Sequence, residues 1–433
     1  MERLAVLGGP KTITRTFAGH TSIGVEEVEA ARAVVAGGVL SRFLGCWGPD
    51  FYGGEKVRGL EEAWRSYFGS RYAVSVNSNT SGLMAAVGAI GVEPGDEVIV
   101  TPWTMSASAT SVLVWNAIPV FADIENETFN LDPAAIEARI TPLTRAIVVA
   151  DIFGHPADLD GIMAVARRHG LRVIEDTAQA PGALYKGRYA GTVADIGVFS
   201  LNYHKHIHTG EGGVCVTDDP RLAERLQLIR NHAEAVVGDK GVTDLTNMIG
   251  FNFRMTEIGA AIGTEQLKKL KVFADERAAA AERLSAGLRG LAGLRVPVVK
   301  PDCSHVYYVY PLLIDEGRTG VSRARLVRAL EAEGVPALAE GYTNLHLLPM
   351  YQRKIAYGRS GFPWAGGLYR GDVSYEKGIC PVAEDLHDRR CVLMELCAYR
   401  FTTDDIDLIV EAFQKVWASL DALRAPGALL SER

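Results

Sequence analysis

The sequence predicts an α/β protein built on a mixed, mostly parallel sheet of seven strands, followed by a smaller α+β region. Three observations carry this reading. From about Tyr72 to about Asp218, short apolar runs alternate with helical patterns. The runs are nearly continuous in apolar residues, which marks strands covered on both faces. A long helical stretch, "EQLKKLKVFADERAAAAERLSAGLRGL", then begins near Leu267, and the pattern changes after it.

The elements follow in order. "YAVSV" (72–76) reads as a strand, and Asn79-Thr80-Ser81-Gly82 opens the helix after it. "EVIVT" (97–101) and "AIPVFADI" (117–124) are the next strands, with a helix opening near Asp132-Pro133. "RAIVVADI" (145–152) leads into "DLDGIMAVARRHG", a helix ending on Gly170. "LRVIED" (171–176), "DIGVFSL" (195–201) and "GGVCVTDD" (212–219) complete the set. The last strands have no helix between them, so the sheet is expected to be mixed there. Beyond the long helix, "YYVYPLLI" (307–314) reads as a strand and "SRARLVRALEAEG" as a helix capped by Ser322. The aromatic, glycine-rich stretch from about Asn344 to Asp372 reads as a loop reaching a site. "TTDDIDLIVEAFQKVWASLDAL" is a final amphipathic helix with Thr403 as its N-cap. With 433 residues the chain exceeds one compact core. We divide it into an arm (1–25), a large domain (26–270) and a small domain (271–433).

Composition narrows the function. Charged residues make up 22% and apolar residues 48%, with a net charge of −7, an ordinary globular balance. No basic cluster suits a nucleic-acid backbone. The six cysteines, Cys46, Cys215, Cys303, Cys380, Cys391 and Cys397, form no C-x-x-C pair and read as reduced thiols of a cytoplasmic protein. No secretory signal or membrane-spanning run is apparent.

The stretch that bears on chemistry is "SLNYHKHIHTGEGG", Ser200 to Gly213. His204, His206 and His208 are spaced by two, but no Cys or carboxylate cluster completes a metal set, so no metal is expected. "TGEGG" lacks the order of a nucleotide phosphate loop, and no G-x-G-x-x-G follows the first strand. A covalent role for Lys205 has support upstream. "VIEDTAQAPGA" ends a buried strand on Glu175-Asp176, where ligands of open α/β sheets gather. An acid there, a lysine on a later turn and small polar residues opening a helix are what a pyridoxal phosphate site requires. The lysine forms a Schiff base, the acid keeps the ring nitrogen protonated, and the helix start receives the phosphate. Each alone has a plainer reading, Asp176 as a strand-end cap and Lys205 as a solvated lysine; their order along the chain favours the joint one.

These residues resemble the DegT/DnrJ/EryC1/StrS aminotransferases, pyridoxal phosphate enzymes of sugar and aminocyclitol amination. "VIEDTAQAPGALYKGRYAGTVADIGVFSLNYHKHIHTGEGGVCVTDD" is similar to the family's central block, and "IGFNFRMTEIGAAIGTEQLKKL" and "CPVAEDL" to later ones. The resemblance implies the fold type I transferase architecture. It places Lys205 at the covalent position, Asp176 at the ring nitrogen and Gln179 near the phenolic oxygen. It further implies Trp103 stacked on the ring, against a plainer reading of Trp103 as core packing. Thr80, Ser81 and Ser200 fall at the phosphate, and Asn202 in the cofactor shell. Asn252 of "FNFR" falls at the neighbouring subunit's phosphate, which implies a homodimer with shared sites. Trp47, Tyr342 and His346 are candidate substrate contacts, though packing explains each about as well.

The sequence departs from the family's pattern in places. Asn202-Tyr203-His204 replaces histidine-proline-threonine, Asp151 stands where many members have histidine, and "MELCAYRFTTDD" replaces a leucine-proline turn. The implied activity is amine transfer from glutamate or glutamine to a keto-sugar or keto-cyclitol, in amino-sugar, aminocyclitol or antibiotic biosynthesis. The opening "LAVLGGPKTI" is closer to the cyclitol branch. Two rival readings are a pyridoxamine phosphate-dependent sugar dehydratase and a non-catalytic sensor on the same fold.

Overall fold

The computed structural model describes residues 2–424. Helices α1 (Val25–Gly37) and α2 (Glu55–Phe68) precede the sheet. The sheet region then runs β1 (Tyr72–Val76), α3 (Asn79–Ala89), β2 (Glu97–Val100), α4 (Ala107–Val114), β3 (Ile118–Phe121), β4 (Thr144–Ala150), α5 (Leu159–His169) and β5 (Arg172–Asp176). It closes with β6 (Ile196–Ser200), β7 (Gly213–Thr217) and α6 (Pro220–Arg230). The seven strands lie in the order β1-β7-β6-β5-β4-β2-β3. Strand β7 is antiparallel to both neighbours, and the remaining pairs are parallel. The reversal falls where no helix separates β6 from β7, because a direct turn can only return the chain antiparallel.

The strands are buried along nearly their whole length. This explains their continuous apolar composition, since helices cover both faces. The glycines mark places where backbones touch. A Cβ on Gly197 of β6 would lie 1.8 Å from the Gly191 carbonyl oxygen, and one on Gly213 would lie 2.8 Å from the Asn79 backbone nitrogen. The second contact sets the start of α3 directly against the start of β7. The glycine cluster after Lys205 is therefore a packing device, with Gly210 at φ 82° supplying the turn.

Helix α7 (Glu257–Leu288) starts ten residues before the expected Leu267 and connects two cores. Its early residues Ala260, Leu267 and Leu270 pack with α2 and β7, whereas Ala281, Leu284 and Leu288 join the second core. That core is built on β8 (Leu294–Arg295), β9 (Tyr310–Ile314), α8 (Arg323–Glu333), β10 (Leu338–Glu340), β11 (Cys391–Met394) and α9 (Thr403–Ala418). Its sheet has the order β8-β9-β11-β10, all antiparallel. The N-cap of α9 is Thr402 rather than Thr403; its hydroxyl accepts from the Asp405 N–H and the Asp405 carboxylate reaches back, a reciprocal cap. Ser322 precedes α8 but makes no side-chain cap hydrogen bond.

The arm packs with the second core. Leu4 and Ile13 are buried in it, and the buried Glu333 carboxylate accepts from the Ala5 and Thr12 backbone N–H groups. The stretch expected to be a loop reaching a site is mostly exposed or half-buried and is anchored to the core by a few aromatic side chains. Tyr351, Trp364 and Tyr375 are buried near Phe121 at the β3 edge of the large sheet. Among the described residues, no helix is long and apolar enough to cross a membrane.

Candidate active site

A cleft of about 210 Å³ opens where β5 and β6 end and α3 begins. Three chain segments meet there for separate local reasons. Asp176 is the last residue of β5 and turns its side chain into the cleft. Helix α3 starts beside it, with Ser78 as N-cap accepting from the Ser81 N–H. Its first N–H groups, on Asn79 and Thr80, lie ahead of any intrahelical acceptor and form a positive, anion-binding end. Lys205 follows β6 on a turn held by its own N–H donating to the Asn202 carbonyl at 3.0 Å.

Asp176 is buried and has no guanidinium partner. Its Oδ2 accepts from Ser108 Oγ at 2.7 Å, and its Oδ1 accepts from the Ala178 N–H at 3.2 Å and Asn79 Nδ2 at 3.4 Å. Burial pushes its pKa up; the Ser108 and Ala178 donors and the Lys205 charge oppose that shift. Lys205 is only 9% exposed, and its Nζ lies 4.2 Å from the centre of the Tyr308 ring. Desolvation lowers its pKa to about 8, partly offset by the Asp176 charge. Beside them, Asp151 lines the cleft and shares a hydrogen bond with the fully buried Glu175. Glu175 accepts from the Gly191, Val193 and Ala194 N–H groups, so it is the better-solvated anion of the two. Burial raises Asp151 well above the usual carboxylate range. Asp151 thus stands as a neutral acid where the resemblance has a histidine.

The histidines divide. His206 is fully buried, with Nε2 2.9 Å from the Val306 carbonyl, and burial holds it neutral. His204 lines the cleft, while the backbone N–H of His208 donates to Gln266 Oε1. Lys205, not a neighbouring histidine, is the nitrogen presented between them.

Of the residues expected here, Lys205, Asp176, Thr80, Gln179, Ser200, Asn202 and Tyr342 line the cleft. Gln179 Oε1 accepts from the Phe153 N–H at 2.7 Å, and the Tyr342 hydroxyl bonds to the same side chain. Asn202 donates its amide to Glu211 at 2.9 and 3.0 Å, and its buried Oδ1 has no partner among the described residues.

Others are elsewhere. Trp103 is fully buried; its indole N–H donates to Asn344 Oδ1 at 2.8 Å and its ring stacks on Phe129, so it is core and has no face on the cleft. Thr104 and Met105, the next two residues, reach the cleft instead. Ser81 points inward, donating to Asn77 Oδ1 at 2.6 Å. His346 is buried and bonded to Glu384 at 2.9 Å, which removes it as a substrate contact. Trp47 is half exposed against Phe51, Tyr52 and Lys240, apart from the cleft. Asn252 is exposed and bonded to Arg254.

Sequence reasoning missed Ser108, Tyr308 and Met105. The small-residue run "SASAT" opening α4 was the available signal for Ser108. Nothing local marked Tyr308, because it arrives on the distant segment leading into β9 and packs against the large-domain core.

The cleft fits pyridoxal phosphate. A desolvated primary amine matches an aldehyde, a buried carboxylate lacking a cationic partner other than Lys205 matches a pyridinium, and a helix N-terminus matches a phosphate. The orphaned Asn202 oxygen is a further group that a ligand would satisfy.

Comparison with known proteins agrees. The model of the DegT/DnrJ/EryC1/StrS aminotransferase family matches residues 48–414. The L-glutamine:2-deoxy-scyllo-inosose aminotransferase of Streptomyces lividus is 34% identical, over 96% of this chain and 97% of that protein. The spore coat polysaccharide biosynthesis protein SpsC of Bacillus subtilis is 32% identical, over 92% and 96%. Among solved structures, an aminotransferase from Psychrobacter cryohalolentis superposes with a TM-score of 0.80 at 29% identity, covering 94% of this chain and 100% of that one. DesV of S. venezuelae gives 0.74 at 29%, covering 90% and 94%.

The lowered Lys205 pKa has a measurable consequence. Only the free amine attacks an aldehyde, so the rate at which apo-protein captures pyridoxal phosphate is expected to rise with pH through a midpoint near 8. Asp176→Asn removes a charge that favours the ammonium and moves the midpoint lower. A midpoint near the ordinary lysine value of 10.5 would contradict the burial argument. The stability sign follows. The unfolded lysine binds more protons between about pH 8 and 10.5, so the burial penalty is full below that window and fades as pH rises through it.

Proposed function

The chain belongs to the DegT/DnrJ/EryC1/StrS family and is a pyridoxal phosphate-dependent aminotransferase; from that premise we propose that it moves an amino group from glutamate or glutamine to the keto group of a sugar or cyclitol. One observation supports this above the others. Lys205 presents a desolvated amine in a cleft shared with the Asp176 carboxylate and the start of α3. A dehydratase reading requires histidine at the covalent position, which holds Lys205; of the flanking histidines, His206 is turned away onto the Val306 carbonyl and His204 lines the cleft. The acceptor class draws on the relatives, among them a GDP-perosamine synthase of Caulobacter vibrioides and the inosose aminotransferase named above.

When bound, the cofactor supplies an electron sink for the carbanion formed at the donor's α-carbon. The chain's own groups do the rest. Asp176 would keep the pyridine nitrogen protonated, and its burial would strengthen that ion pair because little solvent screens it. Ser108, Ala178 and Asn79 orient the carboxylate. The first N–H groups of α3, with Thr80 and Ser200, receive the phosphate. Gln179, fixed by the Phe153 N–H, would serve the cofactor's phenolic oxygen. Lys205 Nζ would accept the proton from the donor's α-carbon and deliver it to the cofactor's reactive carbon, and would carry a proton the opposite way when the acceptor is aminated. A pKa near 8 leaves a usable fraction of free amine at neutral pH. Met105 lines the cleft in place of the buried Trp103.

The same reading places Asn252 at the neighbouring subunit's phosphate. Asn252 is exposed, and its strand-like segment pairs with Asn231, whose amide holds the Leu44 carbonyl. Leu44, Trp47 and Ile249 leave 52%, 41% and 63% of their surface exposed in one chain. Exposed apolar side chains of this kind suit a subunit interface.

Adding glutamate or glutamine to the holoenzyme is expected to move its visible absorption band, and an unmoved band with both donors would remove the transaminase reading. Asp176→Asn is expected to retain the cofactor while losing turnover roughly a hundredfold to a thousandfold; a holo variant with near-normal activity would remove Asp176 from its role.

Light scattering is expected to give a homodimer or larger, and Asn252→Ala to bind the cofactor more weakly. A fully active monomer would exclude shared sites.

A further inference from the structure

Lys205 separates two spaces. One is the cofactor cleft; the other is a chamber of about 490 Å³ on its far side. Lys205, His204 and Tyr308 line both. The chamber's remaining polar wall is His20, Tyr203, His208 and Glu395. His20 arrives on the arm, which pairs with the segment after β11. The His20 N–H donates to the Ala398 carbonyl at 2.9 Å, and the Arg400 N–H donates to the Ala18 carbonyl at 3.0 Å.

The chemistry of this wall is specific. Burial lowers His20 to about 4, and also lowers His204 and His208, so all three are neutral imidazoles at pH 7. His208 Nδ1 accepts from the Gly210 N–H at 3.2 Å and His20 bonds to the His206 backbone, so each of these two offers one ring nitrogen, His20 through its buried, unpartnered Nε2. The Glu395 carboxylate carries no ion pair or side-chain hydrogen bond among the described residues and offers two oxygens. The Cys397 thiol, also on the wall, is pushed up to about 11 and stays uncharged. Apart from Lys205, no lysine or arginine lines the chamber among the described residues. Two of the three arginines of the adjoining depression are paired, whereas Arg277 keeps its buried Nε and Nη2 without a hydrogen-bond partner among the described residues. Arg283 pairs with Asp407 at 2.6 Å and Arg400 with Glu276 at 3.2 Å. Arg277 lies behind the wall, beside Cys397, and is buried.

We propose that this chamber is the acceptor site and that it takes an uncharged polyhydroxylated ketone, a free cyclitol or sugar, rather than a sugar carried on a nucleoside diphosphate. The proposal rests on the aminotransferase reading above and specifies its substrate class. A diphosphate needs guanidinium, ammonium or helix N-terminal donors, and this wall presents a carboxylate instead. Hydroxyl groups, which donate and accept, match neutral imidazoles, a phenol and a carboxylate. The volume is within the ordinary range of ligand sites, roughly 300–1,000 Å³. His20 and Glu395 become specificity-determining residues, Glu395 within the "MELCAYRFTTDD" segment that departs from the family's pattern.

The test is titration calorimetry on the holoenzyme converted to its amino form, with an inosose and a dTDP-linked 4-keto-hexose as probes. The inosose is expected to bind at one site per chain and at least tenfold more tightly than the dTDP-sugar. Glu395→Gln and His20→Ala are each expected to weaken inosose binding about tenfold and to raise its KM more than they lower kcat. Glu395 is exposed, so its substitution does not threaten folding. Tighter binding of the dTDP-sugar, or unchanged inosose affinity in both variants, would overturn the proposal. Failure of the aminotransferase reading shows separately, as an absorption band that neither amino-acid donor moves.

Discussion

The site depends on keeping a lysine and a carboxylate together in a space from which water is largely removed. Lys205 and Asp176 each pay a desolvation cost, and each is partly stabilised by the other's charge. In water the same pair would be worth little. Buried, the lysine is driven toward its neutral, nucleophilic form while the acid is left without a permanent cationic partner. That imbalance suits a pyridinium, which would supply Asp176 with a cationic partner.

The fold serves this constraint. Parallel strands β5 and β6 end at the same edge, so Asp176 and the Lys205 turn emerge side by side. Gly213 lets the start of α3 approach the antiparallel β7, bringing a positive helix end to the same point. Gly191 and Gly197 permit the contact that closes the loop between β5 and β6 around Glu175. Segments beside β9 and β11, with the arm, add the remaining wall. Tyr308 covers the Lys205 amine, and Glu395 and the arm's His20 bound the space beyond it.

Much of this was legible in the chain because it is local. Continuous apolar runs gave the strands, and "VIED" followed by Lys205 and "GEGG" gave the order of the central residues. Thr80, Gln179, Ser200 and Asn202 were reachable because each sits within a few residues of a strand end or helix start. The failures came from side-chain direction and from distant packing. Trp103 and Met105 are two residues apart, and only the turn after Pro102 decides that the methionine reaches the cleft. Ser81 was misplaced for the same reason, since one helical position separates a residue facing the cleft from one facing Asn77. His346 read as a substrate contact because its aromatic, glycine-rich surroundings lack periodicity. Its bond to Glu384, 38 residues later, could not be seen in a linear pattern.

The central claim is that Lys205, rather than a flanking histidine, carries the covalent chemistry. Borohydride reduction of the holoenzyme followed by peptide mass mapping tests it most directly. The account predicts a pyridoxyl adduct on Lys205. An adduct on another residue, or an unmodified protein that removes a hydroxyl group from a keto-sugar, would contradict it.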